Sequence, residues 1–214
     1  MKPDEIQNPE LAEVDVELDR GEFLVKGALA AGAIYGSFAV GPYVRRAIAQ
    51  MGSGDTDILN FALTLEYLEQ AFYEEGLKTA NLSSEAKSVA EEIGSNERDH
   101  VESLMGAISD LGGKPAEPPA VDFGGAVKSQ RAFLKLAQTF EDTGVSAYNG
   151  AGPMLKSKEL LGVAGSIVQV EARHAARIRL LNGDNPAPVP FDTPLTMDEV
   201  LKAVQPYVKS NGGM

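Results

Sequence analysis

Glu171-Ala172-Arg173-His174 places a carboxylate and an imidazole three residues apart. On a helix, such a pair projects to one side, about one turn along. The chain has two histidines, and the other, His100, follows Glu97 at the same spacing in Glu97-Arg98-Asp99-His100. Every histidine therefore belongs to a Glu-x-x-His unit. Carboxylate and neutral imidazole donors suit iron, manganese or zinc. Helical bundles that hold two such ions use two Glu-x-x-His helices and one further glutamate from each of two others. Those glutamates, and the helices that carry them, must come from the rest of the chain.

Four long helices are legible. Asp55 or Thr56 can cap the first, which runs to about Thr79 with apolar residues at helical spacing (Ile58, Leu59, Ala62, Leu65, Leu68, Phe72). Asn81-Leu82-Ser83-Ser84 is a turn, and Ser84 can cap a second helix that stops at Gly112-Gly113. Lys114 to Gly125 is a loop rich in proline and glycine. The third helix spans about Ala126 to Ala151. After a turn marked by Pro153 and Ser157, the fourth spans about Lys158 to Leu181 and ends at Asn182-Gly183. A proline-rich loop follows, and Thr196-Met197-Asp198-Glu199 is a capping box for a short terminal helix to about Val208. No strand pattern and no solenoid-type repeat is present. The fold class is all-α.

In an antiparallel hairpin, residues at equal height are equidistant from the turn. Reflecting Glu97 through the turn near residue 81 or 82 lands on Glu66. Reflecting Glu171 through the turn near residue 156 lands on Glu141. Both are flanked by apolar residues at helical spacing, so both lie on or near the buried stripe. An unpaired buried carboxylate is costly unless neutralised or metal-bound. The set is then Glu66, Glu97 with His100, Glu141, and Glu171 with His174, which suits two iron or manganese ions bridged by carboxylates. The loop between the second and third helices spans roughly 45 Å when extended, enough to cross the length of a bundle.

Neighbouring residues have plainer readings. Glu69, Glu74 and Glu75 read as a solvated face, although Glu69, one turn from Glu66, is also placed to support the ligands from behind. Tyr148, two turns after Glu141, reads as a core tyrosine with a satisfied hydroxyl that can also hydrogen-bond a ligand. Tyr67 and Tyr73 read the same way, as core tyrosines whose hydroxyls can also hydrogen-bond a ligand. Arg98 and Arg173 are expected to pair with acids at the surface. Gly144 and Gly150 lower the propensity of the third helix and permit either a close approach or a bulge.

The chain has 214 residues, 43% hydrophobic, with a net charge of -12 and no cysteine. That excludes disulfides, thiolate zinc sites and iron–sulfur clusters, and it argues against nucleic acid as a partner. Residues 1–22 are an acidic arm. Phe23 to Val44 carries one charge, Lys26, and is long enough to span a bilayer. Within it Phe23, Leu24, Gly32, Gly36 and Val44 would face lipid or a neighbouring helix, with Gly32 and Gly36 in a GxxxG spacing. A cleaved export signal, a retained anchor and a buried helix of a soluble assembly all fit residues 23–50. Arg20-Gly21-Glu22-Phe23-Leu24 looks like a twin-arginine signal with one arginine missing, and Ala47-x-Ala49 fits a cleavage site. Residues 51–183 form the bundle, and 184–214 the proline-rich loop and short final helix.

The stretches Asp57–Glu69, Phe140–Gly150 and Val168–Ala175 resemble bacterial ferritin-like domain proteins, in the branch that includes desiccation-related proteins. The resemblance covers about residues 55–207. It implies a ferritin-like four-helix bundle with a long crossover and a short fifth helix, preceded here by the N-terminal hydrophobic helix. It also implies a di-iron centre that reacts with oxygen or peroxide, held by Glu66, Glu97, His100, Glu141, Glu171 and His174, with Glu97 and Glu171 as bridges. Members often begin with a twin-arginine-like signal, so the expected place is the cell envelope. Two functions follow as expectations. One is a di-metal oxidase or peroxidase-type enzyme that oxidises Fe(II) or removes peroxide. The other is a membrane-anchored structural or accessory subunit, in a homo-oligomer or a larger membrane complex, that uses the bundle as a scaffold.

Overall fold

The computed structural model describes residues 54–209. The acidic arm and the hydrophobic segment, with Phe23, Leu24, Gly32, Gly36 and Val44, lie outside the described residues. Four long helices, α1 (Asp55–Thr79), α2 (Ser84–Asp110), α3 (Gln130–Ala151) and α4 (Lys158–Asn182), are followed by a short α5 (Met197–Val204). No helix among the described residues is long and apolar enough to cross a membrane.

The helix ends follow capping chemistry, with several shifts from the sequence reading. α1 is capped at Gly54, whose N–H donates to the Asp57 carboxylate. Asp55 does not cap it. Its carboxylate accepts from the backbone N–H groups of Lys156 (2.8 Å) and Ser157 (2.9 Å), and so ties the α3–α4 turn to the start of α1. Ser83, not Ser84, caps α2 by accepting from the Ala86 N–H. α3 begins at Gln130, because 126–128 form a single 3₁₀ turn and Ser129 is the cap. α4 ends where Gly183 takes φ 81°, a left-handed value that glycine adopts without steric cost. The capping box of Thr196 and Glu199 forms, and α5 gives way at Pro206 to a 3₁₀ turn.

α1 packs against α2 and α3 against α4, and the two hairpins meet through α1–α3 and α2–α4. At one end, Asn60 of α1 bonds the backbone of Lys114 and Ala116, just after α2. At the other end, the Thr79 hydroxyl donates to the Val127 carbonyl and the Ser83 N–H to the Gln130 side chain. The connection between α2 and α3 therefore runs the length of the bundle, and α2 and α3 point the same way. The tail closes over it. Val121 and Val208 form an isolated antiparallel bridge, and the Leu195 N–H donates to the Ser146 carbonyl on α3.

The core at the α1–α2 turn end is aromatic. Phe72 stacks on Phe133 at 4.7 Å and meets Phe123 and Phe140 edge-on. Deleting a side chain such as Phe72, fully buried, costs about 3–5 kcal/mol. This packing fixes the relative height of α1 and α3, and so the height of the carboxylates they carry.

Candidate metal centre

Glu66, Glu97, Glu141 and Glu171 have no exposed surface, and His100 and His174 are buried beside them. Each outer glutamate divides its oxygens between a tyrosine and a histidine. Glu66 Oε1 accepts from the Tyr148 hydroxyl, and its Oε2 lies 3.3 Å from His100 Nδ1. Glu141 Oε1 accepts from the Tyr73 hydroxyl, and its Oε2 lies 3.4 Å from His174 Nδ1. The central glutamates divide theirs between the two histidines. Glu97 Oε2 is 3.1 Å from His100 Nδ1, and its Oε1 is 3.0 Å from His174 Nδ1. Glu171 Oε1 is 2.9 Å from His100 Nδ1, and its Oε2 is 3.3 Å from His174 Nδ1. Two overlapping groups result: Glu66, Glu97, His100 and Glu171, and Glu97, Glu141, Glu171 and His174.

These contacts are close but mostly not aligned as hydrogen bonds. Glu97 Oε1, Glu141 Oε2, both oxygens of Glu171 and His174 Nδ1 are buried with no hydrogen-bond partner. Buried polar atoms without partners are costly. Here their lone pairs converge on shared points. Within each group the donor atoms lie within 4.8 Å of one another, and ligand bonds of about 2.1 Å place donors on opposite sides of an ion about 4.2 Å apart. The orphaned atoms and the mixed oxygen and nitrogen donor set fit bound metal cations.

Without cations the site holds protons. Burial alone would lower the histidines, but the carboxylates around them win. Glu171, Glu66 and Glu97 push His100 up to about 12, and Glu141, Glu171 and Glu97 push His174 up to about 12. Burial and the Glu171 charge hold Glu97 well above the usual carboxylate range. Burial raises Glu141 to about 7 against the pull of His174. Burial also acts on Glu171, but its two histidine contacts bring it below the ordinary value. Burial and the neighbouring glutamates keep Tyr73 and Tyr148 neutral, as donors.

His174 Nε2 lies 3.0 Å from the Asn96 amide. The amide atom nearest the ring is Nδ2; a half-turn of the amide brings Oδ1 there, to accept the Nε2 proton and leave Nδ1 to face the cluster. A cleft of about 410 Å³ opens on this α2–α4 side, lined by Asn96, Asp99, His100, Arg173, His174 and Arg177.

All six residues that the sequence singled out meet at this centre. Tyr148 bonds one of them. Glu69 departs from the solvated-face reading: it is 4% exposed and lies among the other carboxylates, whereas Glu74 is exposed. Tyr73 is a buried core tyrosine whose hydroxyl is satisfied by Glu141. Its signal was its spacing: Tyr73 follows Glu66 by the interval at which Tyr148 follows Glu141. Tyr67 is half-buried against the edge of the core and donates to Met105 Sδ. Arg98 bonds its own helix at the Gly94 carbonyl, and the ion pairs beside the centre are Arg177–Glu92 and Arg179–Asp142. Gly150 serves a close approach rather than a bulge: a Cβ there would stand 1.8 Å from the Leu195 carbonyl oxygen.

A search of curated proteins finds no match. The sequence signature of the ferritin-like domain matches residues 54–184, more than half of the chain and the whole of α1 to α4. The chain belongs to the ferritin-like domain family.

Proposed function

We propose that this protein is a di-metal carboxylate oxidase that works on Fe(II), peroxide or dioxygen at the cell envelope. The observation that carries this reading is the split of Glu97 and Glu171, each offering one oxygen to the His100 side and one to the His174 side. Glu66, Glu97, His100 and Glu171 would hold one ion, and Glu97, Glu141, Glu171 and His174 the other. When bound, a pair of iron or manganese ions supplies electrons for reduction of dioxygen or peroxide.

The protein's own groups prepare that chemistry. The Tyr148 and Tyr73 hydroxyls hold the outer oxygens of Glu66 and Glu141, so that the inner oxygens turn to the centre. Asn96 fixes the orientation of His174. The aromatic cluster around Phe72 keeps water from the α1–α3 side, and the cleft beside the histidines gives small solutes an approach. The near-uncharged run 23–44 supports a place at the envelope, exported or retained in the membrane. That run also favours a second reading, an anchored scaffold without turnover. Oxygen uptake decides between them. An oxidase takes up dioxygen when Fe(II) is added to the full chain, and Glu97→Ala abolishes the uptake. Protein that carries its metals yet consumes neither dioxygen nor peroxide points to the scaffold.

A further inference from the structure

The centre has a pseudo-twofold that relates α1 and α2 to α3 and α4. It pairs Glu66 with Glu141, Tyr73 with Tyr148, Glu97 with Glu171 and His100 with His174. Carried along α1 and α3 at the same spacing, it pairs Phe133 with Ile58, Phe140 with Leu65 and Phe72 with Ala147. The Tyr73 half is thus filled by aromatic rings gathered on Phe72. The Tyr148 half has a smaller aliphatic side chain at each of those positions, and there the packing leaves a cavity of about 20 Å³. Ile58, Ala62, Leu65, Ala147, Tyr148 and Ala164 stand in its wall, and every residue of that wall is buried. Tyr148 is the one polar side chain among them, and its hydroxyl is taken by Glu66 Oε1. Such a space has room for one molecule about as wide as water, but an apolar wall offers water no partner, so it stays dry. Fe(II) and peroxide would leave their hydration behind on entering. Dioxygen has no charge and no dipole, and it passes from water into apolar surroundings without that loss.

We propose that this cavity is a dioxygen site behind Glu66, supplying the metal position of Glu66 and His100 and not that of Glu141 and His174. This rests on the di-metal reading above. The place is set by Tyr148, which forms part of the cavity wall and, through its hydroxyl, holds a carboxylate of the first metal group. Leu65, also in the wall, directly precedes Glu66. The side is set by the packing behind Tyr73. Gly76 on that side pairs with Ala151, whose residue lines the cavity, yet a Cβ on Gly76 would stand 2.1 Å from the Phe133 ring. The space open behind Tyr148 is closed behind Tyr73. The polar cleft on the α2–α4 side serves solutes that keep their hydration.

The test uses the metal-free full chain under raised dioxygen pressure, with methyl relaxation read by nuclear magnetic resonance. Dioxygen is paramagnetic and speeds relaxation of the methyl groups it visits. Those of Leu65 and Ala147 relax severalfold faster than those of Ile93 and Ile178, which are also buried but lie outside the wall. Ala147→Val fills the cavity from α3 and Ala164→Val fills it from α4, and either removes the excess at Leu65. In the iron-loaded chain both variants raise the KM for dioxygen severalfold and keep kcat. Leu65 methyls that relax no faster than Ile93, or an excess that survives both fillings, overturn the dioxygen site. Either result leaves the di-metal reading standing, since no metal takes part in the measurement. An unchanged KM in both variants overturns the supply role. Wild type that binds neither Fe(II) nor Mn(II) overturns the di-metal reading, and the supply role with it, whatever the relaxation shows.

Discussion

The hydroxyl of Tyr148 on α3 donates to Glu66 Oε1 on α1 at 2.5 Å, across the middle of the bundle. It joins the two hairpins, and it fixes which oxygen of Glu66 turns inward. Tyr148→Phe leaves a buried carboxylate oxygen without its donor, at a cost of about 1–3 kcal/mol. Metal affinity falls about 10–100-fold. Tyr73→Phe does the same to Glu141. Melting temperature and a metal titration of each variant check this, and unchanged affinity in both contradicts it.

The protons on the metal-free centre set a pH dependence. Both histidines rise from 6.5 to about 12, so they add stability that is fully present below pH 6.5 and is lost as pH climbs towards 12. Glu141, raised from 4.5 to about 7, adds stability at acid pH that is lost over that interval. Glu171, lowered by its histidines, acts oppositely, and only below its ordinary value. The metal-free protein therefore melts at lower temperature as pH is raised through the neutral and alkaline range. Metal binding expels these protons, so calorimetric heats depend on the ionisation enthalpy of the buffer. Heats independent of buffer contradict this.

Asn96 is a positioning residue for His174. Asn96→Leu removes the polar partner of His174 Nε2, so the imidazole is no longer held in one orientation. A metal titration should show about 10–100-fold weaker binding with little change in helix content. Asn96→Asp, which keeps an acceptor, restores it. Equal binding in all three proteins contradicts the role.

Two glycines make a matched pair of stability tests. At Gly150 the obstruction is the Leu195 backbone, which cannot rotate away. Gly150→Ala pushes the tail off α3 and costs about 1–3 kcal/mol. At Gly162, inside α4, a Cβ meets nothing within 4 Å. Gly162→Ala stabilises the helix by about 0.5–1 kcal/mol. Denaturant unfolding of both variants reads the opposite signs.

The helices and the convergence of the six glutamate and histidine residues were legible in the sequence because they obey local rules. Glu-x-x-His is one helical turn, and a hairpin reflects Glu97 onto Glu66. What escaped depends on partners distant in the chain. Asp55 reads as a cap from its neighbours, but its acceptors are claimed by Lys156 and Ser157. Glu69 reads as solvated because Glu74 and Glu75 follow it, and its burial is decided by Gly144 on another helix. The start of α3 moved because the crossover enters it through a 3₁₀ turn that helix propensity alone does not separate from α-helix.

Metal content of the full chain, purified from its native host, tests the central claim most directly. The comparison is a Glu97→Ala, Glu171→Ala double variant, which removes the two carboxylates that span both halves of the centre. About two iron or manganese ions per chain are expected in the wild type, and none in the variant. Folded wild-type protein that carries no metal, or a double variant that keeps its ions, contradicts the di-metal centre.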